Sequence, residues 1–216
     1  MTTDLSGATK LFARQKHEFD PGSGTQEVFR LLLDTFANPG RSVDLSVQFS
    51  QFASNGMWLA LALTLLDNET GFFWDGPPEL AEEIQFLSGS AQVPLESADF
   101  VFLSLSCINT GFEAVRFFAE QVLSRVKAGT HRDPHNSALI VIEAGGKPEQ
   151  SLSVDINGPG VPPGGRKVLL SAKEAAWIKA RDIQQFEYPR GVEMIFVRDD
   201  NSLLTITRKA AVTWPM

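Results

Sequence analysis

The chain has 216 residues, of which 43% are hydrophobic and 21% charged, and its formal net charge is −7. Those fractions exclude a largely disordered chain, and the length suits one α/β domain able to bury its own core. An acidic balance with scattered basic residues excludes nucleic acid as a partner, although a local group of arginines can still hold a small anion.

Up to Gly24 the sequence has little periodicity and ends in DPGSG, which predicts an N-terminal arm over residues 1–24 ahead of a single α/β domain over residues 25–216. The opening MTTDLSGATK lacks a basic start followed by an apolar stretch, and MWLALALTLL is too short to span a bilayer. The single cysteine, Cys107, lies in an apolar run and gives no support to an oxidising compartment. A cytoplasmic protein with no membrane partner is therefore expected.

TQEVFRLLLDTFANPG sets Val28, Leu31, Leu32, Thr35 and Phe36 at helical spacing, with Thr25 as cap and Pro39-Gly40 as stop. RSVDLSV then alternates Val43, Leu45 and Val47 with polar neighbours, a strand period. MWLALALTLLDNET is apolar nearly all round, so this helix needs cover on several sides, at the centre of the fold or inside a subunit interface. A dimer is expected, because a helix so apolar usually faces a partner or a core. A short strand at Phe72 to Trp74 ends in DGPP, and ELAEEIQFL carries a Leu80, Ile84, Leu87 stripe.

DFVFLSL and SALIVIEA read as buried strands, GFEAVRFFAEQVLSRVK and SAKEAAWIKARDIQQF as helices, and LSVDIN as an alternating strand. GVEMIFV and LLTIT read as a hairpin turned by RDDNS. Strands alternating with helices predict an α/β fold built on a mixed, mostly parallel sheet flanked by helices.

The chemistry is sparse. In DINGPGVPPGGRK the glycines sit at phosphate-loop spacing, but Pro159, Pro162 and Pro163 have no N–H to offer, and Arg166-Lys167 stand where such a loop needs Lys and then Ser or Thr. A rigid turn fits better. Of His17, His131 and His135, the last two flank Pro134, which breaks the helix that would aim both at one metal, so no metal site is expected. There is no G-x-S-x-G elbow, and no catalytic residue is assigned. Asp67, Asn68, Glu69 and Thr70 follow the apolar helix and read either as a capped helix end or as a cleft lining. Arg30, Arg41, Arg190 and Arg208 lie beside element ends, where guanidinium forks can receive carboxylate or phosphate.

Several segments together resemble a known family. FRLLLDTFANPGRSVDL, LTLLDNETGFFW, the GT…P…SALIVIE stretch from Gly129 to Glu143, NGPGV, YPRGVEMIFV and ITRKAAV follow one another as in the PhnH family, the H subunit of the bacterial carbon-phosphorus lyase system. The resemblance runs from about Thr25 to Trp214. It implies a homodimer with the outline of the large domain of pyridoxal-phosphate-dependent transferases, without that or any other cofactor. It further implies work in phosphonate breakdown beside G, I and J subunits. There the G, I and L proteins act with it to displace adenine from ATP by an alkylphosphonate, the I subunit carrying the chemistry.

The sequence departs from the family at two places: Glu193 stands where aspartate is usual, and of a closing proline-arginine-threonine-threonine element only the arginine survives, as Arg208, with Thr207, Lys209 and Ala210 in place of the rest. The expected function is that of an accessory subunit in forming a ribose methylphosphonate triphosphate from ATP and methylphosphonate. The alternative is a subunit that itself binds nucleotide or phosphonate, with Arg30, Asp67, Glu69, Thr70, Gly158, Gly160 and Arg208 as cleft candidates. A third reading, a fragment of a pyridoxal-phosphate enzyme, needs a lysine on the C-terminal side of the sheet.

Overall fold

The computed structural model describes residues 18–52, 54–104, 111–145 and 151–215. His17, with the rest of the arm before it, and Cys107 lie outside the described residues. Helix α1 (Ser23–Ala37) buries Val28, Leu32 and Thr35 on one face. The expected cap at Thr25 is displaced by Asp20, whose carboxylate accepts the N–H groups of Gly22 and Ser23 at 3.2 and 3.1 Å. The reason is position: Asp20 lies one turn earlier, and Pro21 starts the turn between them. Phe19, within the expected arm, is buried against Phe52 with ring centroids 4.5 Å apart.

The strand expected across RSVDLSV is cut short to β1 (Ser42–Asp44) and followed by helix α2 (Ser46–Ser50). The cause is local: Asp44 Oδ1 accepts from both Ser46 N and Ser46 Oγ, at 2.8 and 2.6 Å, which turns the chain out of the strand. Val47 is thereby left exposed. Helix α3 (Gly56–Leu65) takes a central position, with Trp58 through Ala62 buried inside the chain and Met57, Leu63 and Leu65 half-buried. Trp58 meets Trp74 edge-on at 4.8 Å and Phe102 at 6.3 Å.

The elements β2 (Gly71–Trp74), α4 (Pro78–Ser88), β4 (Phe100–Leu103), α5 (Phe112–Leu123) and β5 (Leu139–Glu143) alternate as the sequence predicts, with an unexpected two-residue strand, β3 (Ala91–Gln92), between α4 and β4. There follow β6 (Leu152–Asn157), β7 (Arg166–Leu170), α6 (Ala172–Gln184), the hairpin β8 (Glu193–Val197) and β9 (Ser202–Ile206), and β10 (Ala211–Thr213). The main sheet has seven strands in the order β1-β9-β8-β5-β4-β2-β3. Strands β3, β2, β4, β5 and β8 run parallel, and β9 is antiparallel to both of its neighbours. Strands β10, β6 and β7 form a second, antiparallel sheet.

Strand alternation divides the core into two. Val101, Ile140, Ile142, Met194 and Phe196 face α5, α6 and the small sheet. Phe72, Phe102, Val141, Ile195 and Val197 face α1, α3 and α4. Complete burial of Phe102 or Phe196 contributes roughly 2–3 kcal/mol each, so the sheet is held from both sides. Among the described residues no helix is long and apolar enough to cross a membrane.

Candidate functional site

Because five strands are parallel, the main sheet has a chemically distinct edge at each end. At the C-terminal edge, β2 and β4 are neighbours whose onward connections leave in opposite directions, β2 to the outer β3 and β4 to β5. Open α/β sheets bind ligands at such a reversal. The residue after β2 is Asp75, the residue after β4 is Ser104, and β5 ends in Glu143. Ser104 joins them, its N–H donating to Asp75 Oδ1 at 2.7 Å and its hydroxyl to Glu143 Oε2 at 2.8 Å.

Asp75 keeps an exposed flank, yet burial of its carboxyl pushes the pKa up to about 6. The Ser104 N–H opposes that shift, and the nearby Glu143 charge adds to it. A cavity of about 480 Å³ continues along this edge, lined by Glu143, Arg198, Asp199 and the start of α3 at Asn55 and Gly56. Arg198 is drawn to one side by Glu174, which is wholly buried and takes its Nε at 2.7 Å. Glu174 also closes a capping box with Ser171, fixing the first turn of α6.

The opposite edge is basic. A groove of about 710 Å³ runs beside the start of β8 and β10, lined by Arg181, Arg190, Arg208 and Lys209, with Asp182 as its one acid and Tyr188 at its rim. A smaller cavity of about 400 Å³ continues it and shares Pro159, Arg208 and Lys209. Arg181 is buried and donates to the carbonyls of Thr207 and Ala210 at 3.1 and 2.9 Å. Arg208 is bound twice to Glu193, from its backbone N–H at 2.8 Å and from Nε at 2.7 Å, and once to Pro134 O. Among the described residues Lys209 Nζ meets the Tyr188 ring, 5.5 Å from its centroid. Nε of Arg190 is buried with no hydrogen-bond partner.

The residues expected to line one cleft are spread over the molecule. Gly158, Gly160 and Arg208 do come together at the basic edge. Gly160 has φ +81°, and a Cβ there would stand 2.2 Å from Ala37 O; at Gly158 it would stand 2.8 Å from Lys209 O. These two glycines press the loop against α1 and the closing segment, leaving Pro159 between them as the lip of both cavities. The loop is a packed turn.

Asp67, Glu69 and Thr70 close on themselves before β2: Asp67 Oδ1 accepts the N–H groups of Glu69 and Thr70 at 3.0 and 3.1 Å. That is the capped-turn reading of this cluster. Arg30 is exposed on α1, and Arg41 pairs with Asp34. His131 pairs with Glu187 at 3.2 Å. No cluster of three or more potential metal ligands occurs among the described residues. Sequence reasoning missed Asp75, Ser104, Glu143, Arg181, Tyr188 and Lys209. The first three were detectable in principle, because each ends or directly follows a parallel strand next to the reversal.

Residues 17–213 match the model of one protein family, described as bacterial phosphonate metabolism protein (PhnH). The chain belongs to the PhnH family. A comparison with curated proteins gives no match. Membership assigns this PhnH protein a role in bacterial phosphonate metabolism, and the matched span includes both edges of the sheet. The first departure meets a retained residue of the second, since Glu193 holds Arg208, the arginine kept in the altered closing element. That element therefore keeps a defined shape at the basic groove.

Proposed function

We propose that this PhnH protein is an accessory subunit of the carbon-phosphorus lyase core complex, working in the cytoplasm with G, I and J subunits. In that role it supports formation of a ribose methylphosphonate triphosphate from ATP and methylphosphonate, without turning over substrate alone. The observation that carries the reading is the family match over nearly the whole chain. The build of the basic groove supports it. Arg181 and Arg208 are tied to backbone carbonyls and carboxylates, which suits holding a surface in shape more than moving protons.

A homodimer belongs to the same proposal, supported by Phe29 and Leu33, one turn apart and 47% and 51% exposed on α1. The mixed sheet with helices on both faces supports an outline shared with the large domain of pyridoxal-phosphate-dependent transferases, retained without the cofactor. Deletion of the gene tests the function. The strain is expected not to grow on methylphosphonate as sole phosphorus source while growing normally on phosphate; normal growth on both would overturn the proposal.

A second reading, a subunit with its own nucleotide or phosphonate cleft, is favoured by one observation: unpaired cations line a groove in a chain of net charge −7.

A further inference from the structure

We infer that Arg190 and Lys209 form a binding site for a phosphorus oxyanion, a phosphate or phosphonate group, in the groove beside the start of β8. The inference rests on the second reading above and names the place and the groups that would serve it. Four cations line the groove against one acid, Asp182. That acid is already engaged, by Arg181 at 3.1 Å and by the Trp214 indole N–H at 3.2 Å. Arg208 is neutralised by Glu193, and Arg181 by Asp182 and two carbonyls. Arg190, half-buried, and Lys209, exposed, are left with uncompensated charge on the wall of a concave groove, where an anion is attracted more strongly than at a flat surface.

Arg190 carries the clearest mark. Its Nε is buried with no acceptor, and among the described residues its side chain makes no hydrogen bond or ion pair. Because that nitrogen is shut away from solvent, a ligand in the groove would meet the half-buried guanidinium at its terminal nitrogens, and burial without an acceptor leaves the whole group's charge unsatisfied by the described chain. A tetrahedral oxyanion fits because it offers the fork paired oxygens. The acids on either side along the chain are engaged elsewhere, Glu187 with His131 and Glu193 with Arg208. Tyr188, 72% exposed at the rim beside Lys209, gives the groove an aromatic wall for whatever the oxyanion is attached to.

The test is calorimetric titration of the full chain with inorganic triphosphate, with ATP and with methylphosphonate, repeated on Arg190→Gln and Lys209→Gln. Neither substitution removes a hydrogen bond of the fold, and unchanged thermal melting of both variants verifies that. Heat with at least one probe, weakened at least about tenfold in each variant, is the expected result, tenfold being the effect of one charge-assisted hydrogen bond. Triphosphate alone sufficing would make the ligand a polyphosphate, methylphosphonate alone sufficing would make it a phosphonate, and either supports the site. Heat unchanged by both substitutions overturns this site and leaves the second reading standing on another cleft. No heat with any probe overturns both.

Discussion

The two edges of the main sheet differ in charge and in how their charges are held. At the C-terminal edge the acids Asp75 and Glu143 share one serine, with Asp199 farther along, and burial holds the Asp75 proton to about pH 6. At the N-terminal edge four cations gather, two locked to protein acceptors and two left open. At the acidic edge burial, with a smaller contribution from Glu143, favours a proton on Asp75, whereas at the basic edge carbonyls and carboxylates hold Arg181 and Arg208. Where neither device is present, at Arg190 and Lys209, the charge is available for a ligand.

Changes at each edge sharpen or break this contrast. The largest effect is expected from Glu174→Ala, which takes from Arg198 its carboxylate partner, leaving it the Ser42 hydroxyl and the Leu169 carbonyl, and removes half of the capping box. Breaking so buried a pair costs about 3 kcal/mol, read as a lowered midpoint in urea unfolding. A loss under about 0.5 kcal/mol would show that the acidic edge is not pinned there, since changes that small are ordinary for surface positions.

Next is Gly160→Ala at the lip of the basic groove. With φ +81° and Ala37 O only 2.2 Å from the new Cβ, the loop must strain or lift, at about 2 kcal/mol. Thermal melting measures it, and an unaltered midpoint would mean the lip is not held against α1.

The smallest effect belongs to Asp75→Asn and depends on pH. Asp75 has an ordinary value of 3.8 that rises to about 6 in the fold, so the folded protein keeps a proton that the unfolded chain has released. The group's favourable contribution is therefore full below the unfolded value and lost as pH rises through about 6. Removing the charge should stabilise the protein by about 0.5–1 kcal/mol near pH 8, a figure reduced for the solvent-exposed flank, and by little near pH 4. Unfolding midpoints across that range are the measurement; a gain that does not change with pH would contradict the burial of this carboxyl.

Much of the fold was legible along the chain. The apolar all-round run at α3, the continuous apolar strands β4 and β5, and the hairpin of β8 and β9 declare themselves by period and by turn residues. What escaped were elements whose signal is shorter than a period. Strands β3 and β10 span two and three residues, and α2 was hidden inside an alternating pattern until the Asp44 turn revealed it. Strand β7, in RKVLL, follows the proline-rich loop so closely that turn chemistry masked it.

The site was less legible than the fold. Of the arginines at element ends, sequence alone could not separate Arg208, which finds Glu193, from Arg190, whose Nε finds no acceptor among the described residues. The Asp67–Thr70 cluster looked as much like a cleft as like a turn, and only its own hydrogen bonds decide for the turn.

By itself the sequence determined the class of fold, the central helix and, through segments matched over residues 17–213, the family, because these depend on patterns that neighbours along the chain share. The tertiary structure alone decided which charges meet. Ion pairs such as Glu193 with Arg208, or Glu174 with Arg198, join residues far enough apart that strand order and register choose the partner. The same pairing decides which cations remain without one.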